Sequence, residues 1–153
     1  MKLSLRGEYA LRALVVLGQN DSDAVIPIQI ISDRQNIPKR FLEQILGDLK
    51  SAGLVESKRG VAGGYRLKLP ANEITLAAVV RHVEGPLAPV NCVSERFYER
   101  CTCPDESTCA IRSVMKEVRD GIAQVLEQVT VAQLCARARN LEKLKVAPLD
   151  FMI

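Results

Sequence analysis

The chain has no tryptophan, three tyrosines, three phenylalanines and a single histidine among its 153 residues. So few aromatics leave Leu, Ile, Val and Ala to build the core, a composition that favours helices. With one histidine, no phosphate-cradling glycine loop, no histidine–nucleophile constellation and no paired acids, the chain is not expected to be an enzyme. Long apolar runs are missing too. The segment Leu11–Leu17 is far too short to span a bilayer, and Glu8 and Arg12 interrupt the only stretch that resembles a secretory leader. A membrane partner is therefore excluded, and a cytoplasmic protein with reduced thiols is the expectation. Repeats and low-complexity tracts are absent as well. Charge is weak: 21 basic and 18 acidic residues give a net +3, which alone does not announce nucleic acid. At 48% hydrophobic and 25% charged residues, the composition fits one soluble domain or a small domain with an appended oligomerisation element.

Cysteine is the residue in unusual supply. Four of the five lie between Cys92 and Cys109, in a polar, turn-rich segment with neither helical nor alternating apolar spacing. Packing does not explain them there. An odd count in a reducing compartment points away from a disulfide framework and towards metal or redox chemistry. Upstream lies a unit rich in helix and turn signals, and downstream one long amphipathic pattern. The layout reads as a DNA-reading head, a metal-cluster sensor loop and a dimer strut.

Ser4 suits the N-cap of a first helix in which Tyr9, Ala10, Ala13, Leu14 and Leu17 follow helical spacing, and Gly18 ends it. Pro27 opens a short second helix carrying Ile28, Ile30 and Ile31. Asn36 closes it in the left-handed conformation, and Pro38 opens a third. Helix, short turn, helix is the helix-turn-helix outline. The third helix has an inner stripe of Phe41, Leu42, Ile45, Leu46 and Leu49 and an outer face of Lys39, Arg40, Glu43, Gln44, Gly47 and Asp48. Leu54–Ser57 and Tyr65–Lys68 then alternate like two strands around a glycine-rich tip. From Ser57 to Lys68 the hairpin holds Lys58, Arg59, Arg66 and Lys68 and no acid. A basic hairpin directly after a helix-turn-helix is a wing, with cations for phosphates or a minor groove and glycines that allow close backbone approach.

Thr75 caps a fourth helix with Leu76, Val79, Val80 and Val83 on one face, Ile74 stapling onto Val79, and Gly85-Pro86 stopping it. His82 lies beside that face and reads as a structural or surface residue. Beyond Cys109, the positions Ile111, Val114, Met115, Val118, Ile122, Val125, Leu126 and Val129 recur at spacings of three and four, describing a helix of about five turns with one apolar stripe. The head offers little surface to cover so long a stripe, so pairing with a second copy is expected. Thr130 caps a further short helix in which Cys135 fits the apolar side. The expected fold is mainly α with a small β-hairpin: a winged helix-turn-helix over 1–86, a cysteine-rich loop over 87–109, a dimerisation helix and short C-terminal helix over 110–139, and a tail over 140–153.

These segments resemble a known family. The opening Leu3-Ser4-Leu5-Arg6-Gly7-Glu8-Tyr9-Ala10-Leu11-Arg12 is similar to its first helix, and Phe41-Leu42-Glu43-Gln44-Ile45-Leu46 to its recognition helix. Lys58-Arg59-Gly60-Val61-Ala62-Gly63-Gly64-Tyr65 is similar to its wing, and the likeness continues through Val83-Glu84-Gly85-Pro86 into the cysteine loop. The family is the Rrf-two group of bacterial winged-helix regulators, of the IscR- and NsrR-like iron–sulfur kind, and the resemblance covers roughly residues 1–135. It implies a homodimeric transcription factor on palindromic double-stranded operator DNA, with an iron–sulfur cluster ([2Fe–2S] or [4Fe–4S]) held by three loop cysteines. Cys92 stands in the place of the first, and the interval from Cys103 to Cys109 matches the last two. The interval from Cys92 to Cys103 is longer than in the most compact members, and Cys101 is an extra thiol, so either Cys101 or Cys103 serves as the middle ligand. Some members complete the set with a histidine three residues after the last cysteine; Arg112 stands there and cannot ligate a metal. Others use a first-helix carboxylate reaching in from the partner subunit, a position held here by Glu8. Four thiolates including Cys101 are the other arrangement.

On DNA, Lys39, Arg40, Glu43 and Gln44 are the expected recognition-helix contacts, with Glu43 able to accept from a cytosine amine and Gln44 to read adenine. Arg59 suits a minor groove, and Lys58 with the amides of Gly63 and Gly64 suits phosphates. A loop that holds a cluster and slackens on its loss would shift the two heads relative to half-sites about one helical turn apart. Two rival readings keep the DNA-binding dimer. In one, zinc on four thiolates clips the loop; in the other, a cluster-free repressor senses through thiol oxidation or a partner protein.

Overall fold

The structure, a computed structural model, describes residues 2–146. Helix α1 (Leu5–Gly18) starts where the Ser4 hydroxyl accepts the Gly7 amide at 3.1 Å. Helix α2 (Ile28–Gln35) ends at Asn36, in the left-handed region at φ 50° and ψ 48°, and α3 (Lys39–Ser51) follows directly after Pro38. The turn between them is fixed by buried Ser32, whose hydroxyl donates to the Ile37 carbonyl at 2.6 Å. A four-residue strand β1 (Val55–Lys58) pairs antiparallel with β2 (Gly64–Leu67), Val55 opposite Leu67 and Lys58 opposite Gly64. Helix α4 (Leu76–Glu84) is capped by the Thr75 hydroxyl, which accepts the Ala78 amide at 3.2 Å, and ends at Gly85 with φ 89°. Helices α5 (Ala110–Gln128) and α6 (Val131–Val146) complete the described chain. The result is the mainly α winged helix-turn-helix that the patterning predicts.

One core joins these elements. Ala10, Ala13 and Leu14 of α1 meet Ile31 of α2, Leu42, Ile45, Leu46 and Leu49 of α3, Val55 of the hairpin, Ile74 and Val79, and Val131 and Cys135 of α6. The stripe expected on α3 is corrected at one position. Its four aliphatic members are at most 3% exposed, whereas Phe41 is 44% exposed. The aliphatic residues already fill the arc that the rest of the core covers, and Phe41 falls beside it.

The wing glycines have a tighter cause than access for DNA. Ile26 exchanges two backbone hydrogen bonds with Tyr65, at 2.8 and 2.9 Å, and so lies flush against the hairpin. A Cβ at Gly64 would come within 2.3 Å of the Ile26 carbonyl oxygen, and one at Gly63 within 2.4 Å of the Lys58 carbonyl oxygen. The Gly63 amide donates to the Gly60 carbonyl at 3.0 Å and so shapes the tip.

At the far end, the start of α4 is stitched to the α5–α6 junction. The Leu76 amide donates to the Val129 carbonyl and the Val131 amide to the Ile74 carbonyl, both at 2.8 Å. Thr130 and Gln133 then form a reciprocal capping box at 2.9 and 3.3 Å. Helix α6 is longer than the short helix expected: it runs 16 residues to Val146, taking in the first part of the supposed tail, and 147–153 lie outside the described residues. Its second half carries Leu141 and Leu144 as exposed apolar residues among charged ones, too few for periodicity to reveal it. Helix α5 has no buried residue at all. Ile122, Ala123 and Leu126 rest against Ala77, Val80 and Leu87, while Ile111 is 70% and Val125 61% exposed. Among the described residues, no helix is long and apolar enough to cross a membrane.

Replacing Gly64 by Ala is expected to cost about 1–3 kcal/mol, because the Ile26–Pro27 backbone must shift. Gly47→Ala, on an exposed helix position with nothing within 4 Å, should stabilise by up to about 1 kcal/mol. Thermal unfolding of the two variants checks this contrast, and equal melting points would contradict it.

Candidate nucleic-acid interface and thiol centre

Anchored by its aliphatic stripe, α3 turns Lys39, Arg40, Glu43, Gln44 and Gly47 to solvent, together with Phe41. Asp48, at the other end of that face, is already engaged: Arg6 of α1 pairs with its carboxylate, and His82 Nε2 of α4 lies 3.0 Å from its carbonyl oxygen. The recognition helix is therefore held at its C-terminal end and open at its N-terminal end. Between it and the wing runs a groove of about 630 Å³ lined by Lys39, Lys50, Lys58 and Arg59 with no acid among its lining residues. Lys50 is a site residue that sequence reasoning missed. It follows Lys39 by about three turns on the same side, and its ammonium donates to Ser57 Oγ at 2.7 Å, bridging helix to wing. Arg66, counted as a wing cation, is engaged within the hairpin: its Nε meets Glu56 Oε1 at 2.5 Å across the strand pair, and its Nη1 donates to the Asp23 carbonyl at 2.6 Å. The free charge of the wing tip is Lys58 and Arg59, beside a fully exposed Val61.

The thiols follow one another in space as in sequence. Cys92 is buried in a short 3₁₀ turn, Asn91–Val93, while Cys101, Cys103 and Cys109 are half-buried. The sulfurs of Cys103 and Cys109 lie 3.7 Å apart. Cys109 is the N-cap of α5. Its Sγ accepts the Arg112 amide at 3.4 Å, and that amide, followed by the hydrogen bond with Cys103, holds its thiol below the ordinary range. Hydrogen bonding to Cys101 and then to Cys109 pushes the Cys103 thiol up to about 12, and burial, then the Cys101 charge, raises Cys92. Two arginines on α5 grip the loop backbone: Arg112 Nε donates to the Cys92 carbonyl at 3.1 Å, and Arg119 Nη1 to the Val93 carbonyl at 2.6 Å. Glu106 braces the far side, accepting from the Tyr98 hydroxyl and the Cys101 amide at 2.6 and 3.1 Å.

Among the described residues, no three Cys, His, Asp or Glu side chains close on a single ion-sized point. Four thiols in one loop offer the thiolate donors that an iron–sulfur group or one tetrahedral zinc ion requires. Glu8 is exposed on α1 and pairs with Arg12 at 3.5 Å; no described interaction brings it to the thiols of its own chain.

With this geometry in view, known proteins provide the comparison. Residues 3–137 match the profile of the Rrf2 family, described as an iron-dependent transcriptional regulator. A Rhodobacter capsulatus protein described as an rrf2-like HTH-type transcriptional regulator is 38% identical over 141 residues, which cover 90% of this chain and 94% of the relative. The HTH-type regulator IscR of Vibrio atlanticus is 31% identical over 93% of this chain and 79% of its own. The solved structure of CymR, the global cysteine regulator of B. subtilis, matches with a TM-score of 0.75 at 28% identity, covering 90% of this chain and 98% of that one.

Arg59→Ala should weaken DNA binding and reduce the salt slope by about one, whereas Arg66→Ala should mainly lower the melting temperature. Binding isotherms at several salt concentrations, with thermal unfolding alongside, separate the two; a reversed assignment contradicts the placement. In reduced, metal-free protein at mildly alkaline pH, Cys109 should alkylate before Cys103 and Cys92 when followed by peptide mass mapping. Earlier reaction of either of those two would contradict the thiol ordering.

Proposed function

The chain belongs to the Rrf2 family of DNA-binding transcriptional regulators, and on that footing we propose that it acts as a homodimer whose operator affinity is set by an iron–sulfur cluster in the thiol loop. The observation that carries this reading is that the last loop thiol, Cys109, is also the N-cap of α5. A change at the thiols is thus a change at the root of the helix whose residues Ile111, Val114 and Val118 stand exposed among the described residues.

Cys92, Cys103 and Cys109 are the residues that hold the group, completed by Cys101 or by Glu8 reaching in from a second copy. The cluster, when bound, supplies an exchangeable redox centre open to iron supply, oxidants or nitric oxide. The protein's part is mechanical. Arg112 and Arg119 fasten the carbonyls of Cys92 and Val93 to α5, so the loop and helix move as one. The exposed residues Ile111, Val114, Val118 and Val125 pair with the same stripe of a second copy, which sets the spacing of two heads on a palindromic operator. Residues 1–86 read DNA, 87–109 sense and 110–139 dimerise. Arg40, Glu43 and Gln44 meet base edges, Lys39 and Lys58 meet phosphates, and Arg59 enters a minor groove. Such a regulator works in the cytoplasm, where its operator lies and its thiols stay reduced.

A second reading is a cluster-free or zinc-bound repressor that senses by thiol chemistry or through a partner protein. It draws on the 3.7 Å approach of Cys103 to Cys109 and on the likeness to the cysteine regulator CymR.

The test uses an operator selected in vitro from random duplex DNA, titrated with cluster-loaded and cluster-stripped protein. The two states should differ at least about fivefold in affinity, and Ser at Cys92, Cys103 and Cys109 should abolish the difference. Equal affinity of the two wild-type states overturns cluster control while leaving DNA binding in place. Glu43→Ala should change the selected sequence more than the overall affinity.

A further inference from the structure

Phe41 is out of place for a core residue. It is the third residue of α3, and the four aliphatic residues of that helix close the core without it. Its ring also stays clear of the basic groove beneath the wing, which Lys39 and Lys50 line from the same helix. It lies instead on the flank shared with Gln44 and Asp48, three and seven residues on, at the open N-terminal end of the helix. There it is met by Arg40, itself exposed, whose guanidinium stands over the ring 5.4 Å from the centroid. The stacking restrains both side chains before any partner arrives.

Large apolar surface held in water is stabilising only once something covers it. Nothing else in the head does so here, and the expected seam with a second copy lies on α5. The N-terminal residues of a helix-turn-helix recognition helix lie against base edges in the major groove. Every group those edges present is polar except the 5-methyl of thymine. Phenylalanine has no donor or acceptor, so a phosphate or a polar base edge gives it nothing to bind.

Resting on the DNA-binding reading of α3, we propose that Phe41 is a further specificity-determining residue whose ring packs on the 5-methyl group of one thymine in each operator half-site. Arg40 buttresses one face of the ring and stays free to reach the adjacent phosphate or a guanine. Specificity on this flank of the helix is thereby apolar, complementing the hydrogen-bond readers Glu43 and Gln44.

The experiment replaces each thymine of the selected operator in turn by deoxyuridine, which deletes only the methyl group, and measures binding by the full-length protein. One position per half-site should lose affinity by about fourfold, the worth of one buried methyl-sized group. Phe41→Ala should bind the unmodified operator more weakly and be indifferent to deoxyuridine at that position. Phe41→Leu should keep part of the sensitivity, and both variants should melt like the wild type because the ring is outside the core. Tight wild-type binding with no deoxyuridine-sensitive position overturns the assignment and leaves DNA binding intact. So does a sensitivity that persists undiminished in Phe41→Ala. Failure to select any operator overturns both readings together.

Discussion

The first turn of an α-helix carries amides that no carbonyl of the helix can satisfy, and at α5 one of them is satisfied by a cysteine sulfur. That hydrogen bond ties the loop to the helix. It makes Cys109 both a helix cap and the last of the loop thiols, so the chemistry of the loop and the start of α5 are one site. Arg112 and Arg119, two turns apart on the same helix, add two grips on the loop carbonyls. The other end of α5 is bonded to the start of α4 through Val129 and Val131. Helix α4 in turn ends at Glu84, which accepts the Ser4 amide at the head of α1 at 3.2 Å, and its His82 meets the backbone of α3 at Asp48. An uninterrupted series of bonded elements thus joins the thiols to the recognition helix. Couplings of this kind act by shifting an equilibrium between two arrangements, with each link held firmly enough to move with its neighbour.

The same arrangement explains why α5 is so bare. A 19-residue helix with no buried side chain draws only part of its packing from its own head. Its far half leans on α4 and Leu87, while the half nearest the thiols displays Ile111, Val114 and Val118. The apolar surface that a second copy would cover therefore begins where the loop ends. In the proposed dimer, a twofold contact there would bring the thiol centre beside the seam that fixes head spacing.

Much of this was legible in the chain because it depends on local chemistry. Ser4, Thr75 and Thr130 cap, Asn36 and Gly85 take positive φ, and the prolines open helices, all from side-chain geometry that needs no tertiary partner. What escaped depends on neighbours. Phe41 has the periodicity of a core residue, but periodicity does not tell which arc of a helix the rest of the fold covers. Arg66 looked like a wing cation because its partner Glu56 stands one residue outside the acid-free stretch. Gly63 and Gly64 were read as making room for DNA, while the carbonyls that require them belong to Lys58 and Ile26. Lys50 joined the interface only when the wing folded over it. The cysteine spacing was plain, but the order of thiol acidity comes from a helix end and from hydrogen bonds among sulfurs.

The proposed sensor is an iron–sulfur cluster held by the thiols at the root of α5. The most direct measurement is the absorption spectrum of anaerobically purified protein, with iron and acid-labile sulfide counted on the same sample. Broad visible bands with iron and sulfide in equal amounts, lost when Cys92, Cys103 and Cys109 are replaced by Ser, are the predicted result. A colourless protein that stays colourless after anaerobic reconstitution, carrying zinc or no metal, would contradict it.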